Sequence, residues 1–116
     1  MSPLAHEIYR QLLRHLRANR ASITYGELAT AVGKKLPTHH RSPSFHAALT
    51  EVTDACRAQR LPCIAAMVWR SAPHRPGPGY FTAAHPRAKT EDAQLRAWER
   101  EHADVLRDAA KFPPTL

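Results

Sequence analysis

Two cysteines and eight histidines are the side chains of this sequence that could do covalent or metal chemistry. His39, His40 and His46 fall close together, and Cys56 or Cys63 could complete a ligand set with them. Zinc sites place paired cysteines two to four residues apart. Six residues separate Cys56 from Cys63, so no closed zinc pattern is present and no metal is expected. A cysteine can instead be a nucleophile, but only where a base or positive charge favours its thiolate. Cys63 opens the apolar run "CIAAMVW" with no base beside it, and reads as a core thiol. There is no glycine-rich phosphate loop, no GxSxG nucleophile and no cleft with paired carboxylates. These residues point away from an enzyme and from any cofactor.

What remains is binding chemistry, and it is basic. The formal net charge is +7. Residues 1–90 hold 13 of the 17 Lys/Arg but only 4 of the 10 Asp/Glu. Such a body, with a mildly acidic C-terminal segment, favours a polyanion, with double-stranded DNA the first expectation. No apolar run approaches the 18 or so residues that a membrane span requires. The start "MSPLAHEIYR" lacks a basic segment followed by an apolar one, so a cytoplasmic protein with reduced thiols is expected. At 116 residues, a single α+β domain is expected throughout.

The elements that must position these charges can be read in order. Ser2 and Pro3 start a helix to about residue 19, with Leu4, Ile8, Leu12 and Leu16 on its buried face. After the short extended segment "ASIT", Thr24 and Glu27 make a capping box, and Gly33 fits the residue just past a helix end. "KKLPTHHRS" is a basic loop. Ser42-Pro43 restart a helix to about Gln59, with Phe45, Leu49, Val52 and Cys56 inward. "CIAAMVW" and "YFTAA" read as two strands around the loop "RSAPHRPGPG", giving a β-hairpin over residues 63–84. Thr90 caps a last helix through about Ala110, in which Leu95, Trp98, His102 and Val105 or Leu106 face inward. Trp69 and Trp98 read as packing residues. "KFPPTL" (111–116) is a tail that its prolines keep out of any helix. This order predicts a winged helix-turn-helix: an N-terminal helix (1–19), helix-turn-helix plus wing (20–84), and an added helix (90–110).

"TYGELATAVG" (Thr24 to Gly33) matches the TYG-x-x-A-x-x-x-G segment of the O6-alkylguanine-DNA alkyltransferases at every fixed position. Ala48-Leu49, Leu61-Pro62-Cys63 and the "GPGY" of Gly77 to Tyr80 fall where that family has similar residues. Over roughly residues 20–82 the chain therefore resembles the winged-helix domain of these proteins and their alkyltransferase-like relatives. The resemblance implies DNA binding, with the Tyr25 hydroxyl approaching a phosphate and Gly26 allowing close approach. It does not imply alkyl transfer, because Ile64 and Ala65 stand where the family has the histidine and arginine that follow its cysteine. The arginine that the family inserts into the base stack falls at Pro43, with Arg41 two residues before it.

The expected site is accordingly a surface. Phosphates would be met by Tyr25, Lys34, Lys35, Arg41, Arg70 and Arg75, with His39, His40 and His74 nearby. Ser42 and Ser44 would approach base edges, and Gly26 would let the backbone come close. This requires residues 34–44 and the 70–76 bend to share one side of the molecule. The alternative is a protein-binding module, such as an inhibitor, immunity or mobile-element protein. It would dock through Trp98 and the Phe112-Pro113-Pro114 tail, or form a homodimer through the C-terminal helix.

Overall fold

Ser2 begins the first helix as its sequence dictates. In the computed structural model, which describes residues 1–116, its hydroxyl accepts the Ala5 N–H at 3.2 Å. Pro3 follows at the first helical position, and α1 runs Pro3–Arg17. Its stripe of Ile8, Tyr9, Leu12, Leu13 and Leu16 is buried against the next two helices. The amide and hydroxyl of Ser2 also donate to the Glu51 carboxylate at 2.9 and 2.7 Å, so the start of α1 is tied to the third helix.

β1 (Ile23–Thr24) leads directly into α2 (Tyr25–Gly33), and the capping box is complete. Thr24 Oγ1 accepts the Glu27 N–H at 3.1 Å, and Glu27 Oε1 accepts the Thr24 N–H at 3.0 Å. These bonds hold the Glu27 carboxyl below its ordinary range. Leu28, Ala29 and Val32 face the core. Gly33 is not the left-handed residue past the helix end. It is the last helical residue, and no glycine in the chain has positive φ.

α3 (Pro43–Ala58) buries Phe45, Ala48, Leu49, Val52, Thr53 and Cys56. Ser42 occupies its capping position, but no side chain caps the helix. The Ser42 hydroxyl is hydrogen-bonded to that of Ser44 at 2.7 Å instead.

The β-hairpin expected over residues 63–84 is not there. Ile64–Met67 form a 3-10 turn, only Val68–Trp69 are extended (β2), and Pro78–Ala84 are helical (α4). β2 pairs with β1 in parallel, Ile23 opposite Val68 and Thr24 opposite Trp69. The fold is therefore α+β with a two-stranded parallel sheet, and residues 70–77 are a loop between β2 and α4 rather than the tip of a wing. The reason lies in the spacing. Tyr80, Phe81 and Ala84 are the buried residues of "YFTAA" and lie at i, i+1 and i+4, a helical period that alternation cannot produce. Pro78 sits in its first turn, where a missing amide costs nothing.

α5 (Glu91–Arg107) is capped by Thr90, whose hydroxyl accepts the Ala93 N–H at 3.1 Å. Trp98 of α5 and Trp69 of β2 both donate their indole N–H to the Ala66 carbonyl, at 2.9 and 3.1 Å. That shared acceptor fastens α5 to the 3-10 turn. Val105 is buried, whereas Leu106 is exposed. The tail is not a projecting surface either: Phe112 is core, the Tyr9 hydroxyl donates to the Pro113 carbonyl, and Arg17 reaches the Phe112 carbonyl at 3.4 Å. No helix is long and apolar enough to cross a membrane.

Candidate nucleic-acid interface

The parallel register sets the end of β2 beside the start of α2, so Arg70 leaves the sheet next to Tyr25. Into the space between them face the first half of α3 and the start of α4. Together they enclose a cavity of about 620 Å³. α3 contributes His46, Leu49, Thr50 and Thr53, one helical face at i, i+3, i+4 and i+7. His40 and Arg41 come from the loop before α3, and Arg70, Ser71 and Ala72 from the loop after β2. The two basic segments named from the sequence thus line one cavity.

Tyr25 spans it. Its hydroxyl accepts the Gly77 N–H at 2.9 Å, joining α2 to the start of α4, and its ring lies 5.9 Å from that of His46. Burial raises the Tyr25 pKa, so the phenol stays protonated. The bond from Gly77 fixes the Tyr25 ring as a wall of the cavity, while its own O–H, which has no acceptor in the structure, stays free to donate. A Cβ on Gly77 would make only ordinary contacts, 3.5 Å from the Tyr25 hydroxyl and 3.6 Å from Arg70 Nε, so what fixes this position is its backbone amide.

The electrostatics are one-sided. No carboxylate lines the cavity. Every ion pair of the molecule lies elsewhere, and neither Arg41 nor Arg70 takes part in one. Arg75 differs from them. It pairs with Glu91 at 2.8 Å, so it would meet a phosphate only in competition with that carboxylate. Burial, reinforced by the neighbouring His39, Arg41 and His46, lowers the His40 pKa. His39 stacks on it at 4.4 Å, and His39 Nδ1 accepts the Arg41 N–H at 3.1 Å.

The remaining expected residues are distributed around this centre. Gly26 and His40 line both the cavity and a neighbouring open groove, where they are joined by Lys34 and His39. Ser42 and Ser44 bond to each other beside the mouth. Lys35 and His74 are exposed and line neither hollow. The sequence reading missed His46, Thr50, Thr53 and Tyr80. The first three were legible as a second, mixed face of α3, one that a search for an apolar stripe passes over.

Cys63 lies behind the cavity, not in it. Thr53 Oγ1 is 3.3 Å from Cys63 Sγ, and burial pushes the thiol up to about 12. A thiol so far above neutral pH offers almost no thiolate for attack. Iodoacetamide at pH 7.5 is therefore expected to label neither cysteine of the native protein on a timescale that labels free cysteine. Labelling should follow unfolding in denaturant, and rapid native labelling read by mass spectrometry would contradict the buried placement.

Tyr80 is held from outside the cavity. Its hydroxyl meets His85 Nε2 at 2.9 Å, and His85 stands 3.7 Å from Glu101, which pairs with Arg57. Arg57 also donates to the Ala84 carbonyl at 3.2 Å, at the end of α4. One charged cluster between α3, α4 and α5 thereby fixes the cavity's fourth wall.

No protein-family model, curated protein or solved structure matches the chain. Function has to be read from the cavity and its charge.

Proposed function

We propose that this chain is a non-enzymatic DNA-binding protein, alkyltransferase-like in its α2 segment, which grips backbone phosphates around the mouth of the cavity. The observation that carries this reading is the pairing of Arg41 and Arg70, both without a carboxylate partner, on a cavity whose lining contains no acidic residue. Unanswered arginines at one opening are suited to phosphates, which accept their fork of donors. The exposed residues Ser44, His46 and Thr50 leave the first half of α3 free to enter a groove. On this reading the cavity would receive a base turned out of the stack, and Tyr25 and Tyr80 give it aromatic walls. Cys63 supplies no nucleophile, so binding rather than turnover is the expected outcome. Docking of a protein has less support, since Phe112 and the tail are occupied within the fold.

Titration of a fluorescein-labelled mixed-sequence duplex at several salt concentrations tests this. Binding should weaken with salt, with a log–log slope of about −2 to −4, the range for two to four neutralised phosphates. A duplex carrying 2-aminopurine should brighten on binding if a base leaves the stack. Failure to bind at low salt ends the proposal.

A further inference from the structure

Outside the cavity lining, behind Tyr80, a single ring nitrogen stands between two partners. His85 Nε2 is 2.9 Å from the Tyr80 hydroxyl and 3.7 Å from Glu101 Oε1. We propose that His85 is a proton-operated latch on the cavity wall: neutral, it anchors the Tyr80 hydroxyl, and protonated, it turns to Glu101 and lets that wall go. The latch rests on the reading of the cavity as the binding site and adds control of that site by acid.

The Tyr80 hydroxyl is buried and makes no other hydrogen bond, so its proton goes to Nε2 and the neutral ring carries its own proton on Nδ1. Burial also raises the Tyr80 pKa, which leaves His85 as the member of this pair that titrates near neutral pH. A second proton on the ring turns Nε2 from acceptor into donor. The ring can then no longer receive the Tyr80 proton, and a buried hydroxyl loses its acceptor. Glu101 is placed to take the new N–H. Its carboxylate side chain is 9% exposed, and a small rotation of the imidazole brings Nε2 within hydrogen-bond reach of it.

The groups that face His85 are Tyr80 of α4, Glu101 and Arg100 of α5, and Arg57 of α3. Burial opposes the proton most strongly, Glu101 favours it, and Arg57 and Arg100 oppose it. The latch therefore opens below the pH at which an ordinary histidine titrates. Charge gained by the ring is answered by Glu101, so the cavity changes through the loss of Tyr80's anchor rather than through a new field. That gives the effect a distinctive sign. His40 and His46 in the cavity lining, and His39 in the groove beside it, would hold a phosphate more tightly once protonated. Opening the latch works against them and weakens binding.

Titrations of the labelled duplex with the parent protein, His85→Gln and Tyr80→Phe between about pH 8 and about pH 5 test the latch. Glutamine offers Tyr80 an acceptor that does not titrate, and phenylalanine keeps the ring but has no hydroxyl to release. The affinity of the parent relative to either variant should fall about fivefold toward acid, the worth of one buried hydrogen bond. Should one variant fail to fold, the other carries the comparison. NMR of the free protein gives a readout without DNA. Neutral His85 should show the Nδ1–H tautomer, and the Tyr80 ring signals should shift with the His85 midpoint in the parent but not in His85→Gln. Parallel affinity profiles for parent and variants would overturn the latch and leave the arginine mouth in place, as would Tyr80 signals indifferent to the titration of His85. A parent protein that binds no duplex at any pH would end the DNA reading, and the Tyr80 signals alone would then decide the latch.

Discussion

Replacing Arg41 and Arg70 together with alanine is expected to lower duplex affinity about a hundredfold at low salt, if the proposed DNA binding holds, and to leave thermal stability essentially unchanged. The size follows from counting charges. Each arginine at the mouth is unpaired, so its full charge is available to a phosphate, and one phosphate contact is worth about tenfold. The log–log salt slope should also become shallower by about 1.8, because two fewer counterions are released. Stability should hold because the two side chains are exposed and make no hydrogen bond or ion pair that the fold would lose. Arg75→Ala is the internal comparison. Its guanidinium is already matched by Glu91, a carboxylate that is 70% exposed, so the variant should change affinity less than threefold and stability by under about 0.5 kcal/mol. Anisotropy titrations and thermal melts read both quantities. If Arg75→Ala weakened binding as much as the double variant, net charge alone would explain the affinity and the cavity mouth would have no special part.

The helices were legible because their ends and stripes are local. Ser2-Pro3, the Thr24–Glu27 box and Thr90 act within one turn, and the core residues of α1 and α3 repeat at helical spacing. The strand pairing was not legible. β1 and β2 are two residues each, and what joins Ile23 to Val68 is the packing of α3 and the 3-10 turn between them, which no short window of sequence contains. "CIAAMVW" misled for a physical reason: a run buried on all sides has no period, so strand and turn look alike in it. "YFTAA" was the avoidable error, since its i, i+1, i+4 spacing was visible.

The site divides along the same line. Arg41 and Arg70 could be named because unpaired charge in Pro- and Gly-punctuated loops is a composition signal. That Arg75 would be answered by Glu91 depends on a contact across 16 residues, and that Tyr25 would be claimed by Gly77 on one across 52. Gly33 reads from the sequence as the residue just past a helix end and is instead the last helical residue, a shift of one position that local pattern does not fix.

The cluster behind the cavity gives the largest expected effect on stability, and its two partners should not behave alike. Arg57 has 40% of its side chain exposed, whereas Glu101 has 9%. Arg57→Ala strands a carboxylate in the interior and removes the donor to the Ala84 carbonyl, so it should cost about 3 kcal/mol. Glu101→Gln keeps an acceptor for Arg57 and leaves a guanidinium that water can solvate, so about 1 kcal/mol is expected. Urea unfolding at pH 7 measures the difference, and equal losses would show that the pair acts as a surface bridge. His85 adds an acid-side signature. Burial holds its pKa below the ordinary range against the pull of Glu101, with Arg57 and Arg100 also lowering it. The unfolded chain therefore takes up this proton first, and the contribution of neutral His85 is complete above about pH 6.5 and declines as the pH falls toward the lower folded value. His85→Gln removes that part of the decline while retaining a partner for the Tyr80 hydroxyl. Because Tyr80 forms a wall of the cavity, Arg57→Ala should also weaken duplex binding under conditions where it remains folded, although Arg57 itself lies outside the lining. A folded Arg57→Ala protein with undiminished affinity would separate the cluster from the cavity and leave it a purely structural joint between α3, α4 and α5.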